Sequence, residues 1–377
     1  MKVAVLGLGR VGLPTACYFA SIGHEVRGYD VGRDLISQLR NKVKPFPFEP
    51  EVDVSTIYVG ETLDAVLSGA DVVYIIVPSP SVNGVITGDI VGIALVQCHN
   101  LRPEMPVVIG TTLGPRDALN FCRRGGVYYN PPLIRLGHVV EDHRNAKLKL
   151  AGGLQLIGMH DFKILFDLWQ WNLLDGEYFF GSPDEVAMVK LGINASLSMR
   201  IGWANEIAEV CELNDVDAKR VLAGIGLDSR IGTTYMHPGW SPAGPCLPRD
   251  LEMWKYLGRQ DKGLTCALSV SHWVRRMRCV QDVLDEIEHS GIDKPRIAVL
   301  GLMYNPSAID RTDSQGDALM LIFKGRGWEC ISFDPALAAM PEKIPDVDFV
   351  VIATAWPQFK SMTFPPKAKI IDLVGLL

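Results

Sequence analysis

The first thirty or so residues limit the fold more than any other part of the chain. An apolar run, KVAVLG (2–7), is followed by a glycine-rich turn, a helical pattern and a second strand pattern, HEVRGYD (24–30). A strand, a turn, a helix and a strand in this order predict a βαβ unit, in which the two strands lie parallel. The chain is therefore predicted to begin with a parallel α/β domain.

The turn of this unit has the spacing of a dinucleotide-binding loop. Gly7, Gly9 and Gly12 form a G-x-G-x-x-G pattern directly after the strand, and Asp30 ends the next strand. Glycines at these positions allow a tight turn and let a pyrophosphate approach the helix N-terminus. The carboxylate of the acid accepts a hydrogen bond from a ribose 2′-hydroxyl. The pattern favours NAD over NADP, with Arg33 nearby softening that preference. A glycine turn without a ligand is the alternative interpretation.

Strand and helix patterns continue along the chain. ADVVYIIVP (70–78) and MPVVIGTT (105–112) predict buried, parallel strands, and 147–153 and 176–182 predict two more. From Pro183 a helical pattern runs for some thirty residues, which predicts a long helix that links domains or packs on a second subunit. Further helical segments are predicted from about 214 to 225 and from 247 to 290.

A glycine-ended strand pattern returns at KPRIAVLGL (294–302), followed by alternating helix and strand patterns up to AKIIDL. We therefore predict an α/β fold with two Rossmann-like doubly wound domains, joined by a long central helix and a helical middle domain. The predicted boundaries are 1–182, 183–291 and 292–377.

Composition excludes several classes of protein. The formal net charge of −6 argues against a nucleic-acid partner. The chain lacks the roughly 18 uninterrupted apolar residues of a membrane span. Its 8 cysteines are scattered, without C-x-x-C pairs or zinc-type histidine spacing, so we expect a reduced cytoplasmic protein with no metal site. Most of these thiols are expected to be small buried hydrophobes.

Two further positions invite a functional interpretation. Lys190 and Asn194 lie four residues apart on the predicted long helix and therefore share one face. A lysine and an amide projecting together could hold an alkoxide or a water molecule. A solvated surface pair has the same spacing, and the spacing alone favours that simpler interpretation.

The chain resembles the UDP-glucose/GDP-mannose dehydrogenases, the nucleotide-sugar 6-dehydrogenases, over nearly its full length. The resemblance rests on motifs that occur in the family's order, which read in this sequence VLGLGRVGLPTA, VPSP (77–80), GTTLGP (110–115), YNPPLIRLG (129–137), KLGINASLSMRIGWANEIAEVCE, GIGLDSRIG (224–232), GPCLPRD (244–250), IAVLGLMYNP (297–306) and VVIATAWPQF (350–359).

The resemblance implies an enzyme that uses NAD to oxidise C6 of a nucleotide sugar, a UDP-hexose in the first place, from alcohol to acid. Cys246 is expected to capture the aldehyde as a thiohemiacetal, which becomes a thioester and is then hydrolysed. Lys190 and Asn194 are expected to steady the oxyanion, Asp250 to work with the lysine as base, and Thr112 to position water. A thiolate suits aldehyde capture, and a cationic lysine suits an oxyanion.

The resemblance also implies roles for the parts of the chain. The first domain is expected to bind NAD, the central helical domain to carry the dimer contact and the active site, and the last domain to bind the sugar nucleotide. Arg230 matches an arginine that reaches the sugar nucleotide of the neighbouring subunit, which implies a homodimer through the central helix. The NAD contacts are expected from Gly7, Gly9, Arg10, Val11, Gly12, Asp30, Arg33, Ser79 and Thr112. The substrate contacts are expected from Leu133, Ile134, Arg135, Lys190, Asn194, Arg230, Tyr235, Gly244 and Tyr304.

The chain departs from the family pattern at several of its polar positions. Pro132 and Leu136 replace the two glutamates of the loop that follows Asn130, and neither side chain can take a proton. Asn305 replaces a lysine, Thr312 an arginine and Arg249 a lysine. These changes predict altered thioester hydrolysis. They also leave open a dehydrogenase of a different nucleotide-linked or acidic substrate, or a non-catalytic relative that binds NAD or a sugar nucleotide.

Overall fold

The computed structural model describes residues 1–46, 51–154, 162–172, 174–259 and 263–377. These residues form two compact units, Met1–Gly192 and Ile193–Leu377. The predicted division at 182 and 291 stays a prediction. Among the described residues, every helix is too short or too polar to cross a membrane.

The first unit is a parallel α/β domain, as predicted. Its strands are β1 (Lys2–Leu6), β2 (Glu25–Tyr29), β3 (Tyr58–Val59), β4 (Val72–Ile75), β5 (Ser81–Val82), β6 (Val85–Ile86), β7 (Val107–Ile109), β8 (Val127–Tyr129), β9 (Leu148–Gly152) and β10 (Glu177–Gly181). Its helices are α1 (Gly12–Ser21), α2 (Arg33–Arg40), α3 (Leu63–Leu67), α4 (Asp89–Leu101), α5 (Pro115–Cys122), α6 (Val139–Arg144) and α7 (Lys163–Trp169), with a 3-10 turn at Val54–Thr56.

The strand order of the main sheet is β10-β9-β8-β7-β4-β1-β2-β3. Strands β3, β2, β1, β4, β7 and β8 pair in parallel, whereas β9 runs antiparallel to β8 and β10 runs parallel to β9. The strands predicted at 147–153 and 176–182 are therefore present as β9 and β10, but both run opposite to β8. β1 and β4 are almost wholly buried because helices cover both faces of a parallel sheet.

The long helix is confirmed as α8 (Pro183–Glu212), whose first residues belong to the first unit and whose remainder belongs to the second. Two acids in its first turn, Asp184 and Glu185, complement the positive end of the helix dipole. Its two interior glycines are accommodated without breaking the helix. Around Gly202, a side chain would meet the Leu268 and His272 side chains, so this glycine permits close helix packing.

The second unit contains the rest of the helical region and a smaller parallel sheet. Its helices are α9 (Ala218–Gly226), α10 (Leu247–Leu257), α11 (Leu264–Glu288) and α12 (Gln315–Gly325), with a 3-10 helix at Pro357–Ser361. Its strands are β11 (Arg296–Leu300), β12 (Glu329–Phe333), β13 (Phe349–Ile352) and β14 (Lys369–Asp372), in the order β12-β11-β13-β14 and all parallel.

The glycine turn of the first unit has a counterpart in the second. Gly7 follows β1 and Gly301 follows β11, the first strand of each unit, with φ +94° and +96°, a conformation that favours glycine. A Cβ on Gly12 would lie 1.9 Å from the Gly7 carbonyl oxygen, and a Cβ on Gly316 would lie 1.9 Å from that of Gly301. The second Rossmann-like domain thus repeats the strand-to-helix contact, with a longer connection between the two glycines.

Candidate active site

The glycine turn of the first unit is built to receive a pyrophosphate. Gly7 takes a left-handed conformation, and α1 begins at Gly12 directly beside it. Around Gly9 nothing lies within 4 Å of the position that a Cβ would occupy, so the backbone there borders open space. The residues fit a dinucleotide, because the open turn at Gly9 directly precedes the N-terminus of α1, a place where anions bind.

Asp30 closes this turn from the neighbouring strand. Its Oδ2 accepts from the backbone N–H of Leu8 at 2.8 Å, and its Oδ1 accepts from that of Gly32 at 2.8 Å. A carboxylate has about four acceptor positions, so about two remain for ribose hydroxyls. A cavity of about 800 Å³ lies beside it, lined in part by Arg33, Ser37 and Arg40.

The other predicted NAD positions lie at the carboxyl ends of adjacent strands. Ser79 is buried beyond β4, and Thr112 is half-buried beyond β7. Arg10 is exposed on the glycine turn and Val11 is half-buried there. Since β1, β4 and β7 are neighbours and parallel, these positions share one edge of the sheet.

The predicted substrate loop leaves β8 at the same edge. Leu133 and Ile134 are half-buried, as are Pro132 and Leu136 at the two positions where the family pattern has glutamates. Arg135 is exposed and binds Asp142, through its backbone N–H to Oδ2 at 2.6 Å and through Nη2 to Oδ1 at 2.6 Å.

The nearest downstream carboxylates are thus already engaged. Asp142 holds Arg135, and Oε2 of Glu141 lies 2.9 Å from Nδ1 of His138. These pairs connect the loop to the first turn of α6.

Lys190 and Asn194 both lie on α8 and both are buried, with 8% and 6% exposure. Lys190 belongs to the first unit and Asn194 to the second. Their burial rules out the simpler interpretation that they form a solvated surface pair.

Cys246 is an exposed thiol at the start of a helix in the second unit. It is the residue that precedes α10, and its carbonyl accepts from the Asp250 N–H at 2.9 Å. Pro248 occupies the first turn of the helix, where a missing N–H costs nothing.

The Asp250 carboxylate is fully buried one turn into α10. Its Oδ2 accepts from Nδ2 of Asn194 at 2.6 Å. Its Oδ1 accepts from Nε and Nη2 of Arg249, both at 2.8 Å. The structure therefore brings together three predicted residues, Cys246, Asp250 and Asn194, within the second unit.

The segment before Cys246 is anchored to the second sheet's domain. The Gly244 N–H donates to the Thr312 carbonyl at 2.9 Å, and the Tyr304 ring occupies the space next to Gly244 that a side chain would need. Gly244 has φ +82°, so both its conformation and its contact with the ring favour glycine.

Sequence analysis did not identify Arg276, which also holds the segment before Cys246 in place. Arg276 donates from Nη2 to the Pro242 carbonyl at 2.7 Å and lies 2.9 Å from Asp313 through Nη1. It stands in the basic run of α11, but nothing in that run indicates a contact with a segment more than thirty positions earlier.

Arg230 and Tyr235 lie on the loop after α9. Arg230 is 85% exposed and pairs with Asp228, whose Oδ2 lies 2.6 Å from Nη2. Its exposure agrees with a role toward a neighbouring molecule, and that role stays a prediction. Arg200 of α8 fixes this loop by donating to the carbonyls of Ile231, Gly232 and Thr234 at 2.7–3.0 Å, a contact that sequence spacing does not indicate.

Three buried thiols, Cys17, Cys98 and Cys122, differ from Cys246 in their surroundings. Burial raises the pKa of Cys17 to about 11 and the pKa of Cys98 and Cys122 to about 12. Such thiols stay protonated at neutral pH and react slowly. No group of three or more His, Cys, Asp or Glu side chains in the described part of the chain is arranged to hold a metal ion.

The fold and the glycine turn define the class: a dinucleotide-binding α/β protein with two Rossmann-like sheets. Comparison with known proteins narrows this class. Residues 1–94 match the model of the NAD-binding domain of the UDP-glucose/GDP-mannose dehydrogenase family, and residues 184–273 match the model of its central domain.

Relatives match along nearly the whole chain. UDP-glucose 6-dehydrogenase AglM of Haloferax volcanii is 26% identical over 96% of this chain and 93% of its own length. A UDP-glucose dehydrogenase from Pyrobaculum islandicum has a similar structure, with a TM-score of 0.84 and 26% identity over 99% of this chain and 94% of that one. The structure of the UDP-D-ManNAc dehydrogenase of Pyrococcus horikoshii is also similar, with a TM-score of 0.86 and 25% identity over 100% of this chain and 96% of that one.

The chain belongs to the UDP-glucose/GDP-mannose dehydrogenase family. It is thus a member of a family of NAD-dependent oxidoreductases that act on nucleotide sugars, and its cofactor is NAD. The predicted resemblance, fold class and cofactor are confirmed.

Proposed function

We propose that the protein oxidises C6 of a nucleotide sugar to the uronic acid, with a UDP-hexose as the favoured substrate. The observation that carries this proposal is an exposed thiol, Cys246, one helical turn from a buried Asn194–Asp250 pair. The relatives from Haloferax, Pyrobaculum and Pyrococcus are named for UDP-sugars, which favours UDP over GDP.

In this proposal each residue has a distinct task. Bound NAD supplies the hydride acceptor for both oxidations. The glycine turn and Asp30 bind and orient the dinucleotide. Asp250 and Lys190 take the proton from the C6 hydroxyl, after which the Cys246 thiolate adds to the aldehyde carbon and forms a thiohemiacetal. The Lys190 ammonium and the Asn194 amide stabilise the oxyanion.

The second oxidation converts the thiohemiacetal to a thioester on Cys246, and water cleaves it to the acid and the free thiol. Thr112 positions that water. Pro132 and Leu136 cannot act as its base, and Glu141 and Asp142 are engaged by His138 and Arg135. We propose that hydrolysis is the slow step and that the thioester accumulates.

The assembly in this proposal is a homodimer through the central helices. Two helices of the second unit present apolar side chains to solvent: Met199, Trp203 and Val210 on α8, and Val270, Trp273, Val274 and Met277 on α11. The helices lie side by side, because Glu209 lies 3.2 Å from both Arg275 and Arg278. Exposed apolar side chains on two neighbouring helices fit contact with a second copy of the chain.

The compartment in this proposal is the cytoplasm. All eight cysteines are free thiols, which a reducing compartment maintains.

The test combines the protein with NAD and a panel of UDP- and GDP-sugars, follows NADH, and measures the intact-protein mass at the end. Complete oxidation gives about two NADH per sugar and unmodified protein. Slow hydrolysis gives a burst of about two NADH per active site, because both oxidations precede the thioester, and a sugar-sized adduct that is absent in Cys246→Ser. The proposal is contradicted if NADH forms only with another class of substrate, or if no substrate gives NADH. NAD binding without any turnover would identify a non-catalytic binding protein.

A further inference from the structure

The Asp250 carboxylate is held by a cation from its own helix. Oδ1 accepts from both Nε and Nη2 of Arg249, and Oδ2 accepts from Nδ2 of Asn194. Asp250 is 0% exposed and the Arg249 side chain is 21% exposed, so solvent screens this pair only weakly. A buried carboxylate of this kind is costly unless a charge and hydrogen bonds compensate it.

This pairing is not what helix geometry provides by default. Consecutive residues of a helix point in directions about 100° apart and do not face each other. Arg249 therefore reaches its neighbour only because its long side chain folds back over the helix toward Asp250. The contact is specific to the tertiary setting of α10.

The pair also determines which way the Asn194 amide points. Nδ2 of Asn194 donates to Oδ2 of Asp250, which directs the Oδ1 atom of the amide elsewhere. Arg249 holds the other carboxylate oxygen and therefore acts on the Asn194 amide through Asp250.

We infer that Arg249 is a positioning residue, which holds the Asp250 carboxylate in the orientation that accepts the Asn194 hydrogen bond. This inference rests on the proposed function, because it assigns Arg249 to that same site. Arg249 stands where the family pattern has lysine, so lysine is the natural conservative replacement.

The experiment compares Arg249→Met, Arg249→Lys, Asp250→Asn and the double variant Arg249→Met/Asp250→Asn. Arg296→Met, which removes an exposed arginine from the start of β11, is the matched control. We expect Arg249→Met to lower kcat by about 10- to 100-fold, as a misdirected group does, while KM for NAD and for the sugar nucleotide changes less than about threefold. Arg249→Lys should recover most of the loss.

The double variant separates positioning through Asp250 from a general structural role. The neutral amide that Asp250→Asn introduces needs no cation, so adding Arg249→Met to Asp250→Asn should change kcat by less than about twofold. Additive losses in the double variant, no recovery with lysine, or an unchanged kcat in Arg249→Met would each overturn the inference.

A second readout keeps the test independent of turnover. Without Arg249, the Asp250 carboxylate one turn from Cys246 lacks its cation, and a negative charge near a thiol slows its alkylation, so iodoacetamide should label Cys246 at least about threefold more slowly in Arg249→Met. Arg249→Lys and Arg296→Met should label at the wild-type rate. If the wild type makes no NADH, the proposed function fails. The rate of Cys246 labelling in Arg249→Met then tests the role of Arg249 by itself, and an unchanged rate overturns the inference.

Discussion

Nδ2 of Asn194 donates a 2.6 Å hydrogen bond to Oδ2 of Asp250, across 56 positions of sequence and with both side chains buried. This bond joins α8 to α10 and thereby fixes the amide next to the helix that carries Cys246. It is the contact on which the proposed chemistry of the second unit depends.

Loss of the Asn194 amide should destabilise the protein. Asn194→Ala leaves a buried carboxylate oxygen without this donor, and we expect the free energy of unfolding to fall by about 1–3 kcal/mol. Asn214→Ala removes an exposed amide bond to the Val210 carbonyl and should cost less than about 0.5 kcal/mol. Urea denaturation measures both, and equal effects would contradict the role of burial.

Two glycines of the turn should respond differently to alanine. A Cβ on Gly12 meets the Gly7 carbonyl at 1.9 Å, so Gly12→Ala should destabilise the fold by about 1–3 kcal/mol, the cost of overpacking. Gly9 borders open space, so Gly9→Ala should unfold at the wild-type temperature and yet bind NAD at least about tenfold more weakly, because the methyl group takes the space of the pyrophosphate. Thermal unfolding and NAD titration separate the two, and wild-type affinity in Gly9→Ala would contradict the assignment.

Asp30 should set the choice of dinucleotide. Its carboxylate lies where a 2′-phosphate would be repelled, with the exposed Arg33 beside it. Asp30→Ala should weaken NAD binding and shift the ratio of NAD to NADP affinity toward NADP by about tenfold or more. Titration with both dinucleotides checks this shift, and the double variant Asp30→Ala/Arg33→Ala should lose the gain in NADP affinity. An unchanged ratio would remove Asp30 from the ribose site.

Cys246 should be alkylated before the buried thiols. Burial raises the pKa of Cys17, Cys98 and Cys122 to about 11–12 and keeps them protonated below that range, whereas Cys246 is exposed at a helix start. At about pH 8, iodoacetamide followed by peptide mass analysis should show early modification of Cys246, and NAD with a bound sugar nucleotide should slow it. Early labelling of the buried thiols, at the rate of Cys246, would contradict their burial.

His272 should make the protein less stable in acid. Burial, helped by the positive charge of Arg276, lowers its pKa in the folded protein to about 4, against about 6.5 when unfolded. Between these pH values the unfolded chain binds more protons, so the free energy of unfolding falls as pH drops from about 6.5 to about 4, by up to about 3 kcal/mol.

The His272→Leu variant tests this source of acid sensitivity. It should lose that part of the pH slope in urea denaturation, since leucine does not titrate. The exposed His237, changed in the same way, is the control. An unchanged slope in His272→Leu would place the acid sensitivity elsewhere.

Local patterns explain why much of the fold was predictable. The glycine spacing of the first turn, the apolar strands and the helical period of α8 each follow from residues that are neighbours in sequence, and the structure confirms them. Direction was harder to predict, because β9 and β10 have ordinary strand patterns and nothing in them shows that they run opposite to β8. The predicted helical region 247–290 contains two helices, α10 and α11.

The sequence by itself determined the dinucleotide turn, the acid after the second strand and the presence of Cys246 at the start of a helix. The family pattern then singled out Lys190, Asn194 and Asp250, whose catalytic roles stay predictions. Only the tertiary structure decided that Lys190 and Asn194 are buried, that Asp250 holds Asn194, and that Arg249 folds back to pair with Asp250. The physical reason is that spacing along a chain encodes turns and periods, whereas burial and hydrogen-bond partners depend on which distant segments pack together.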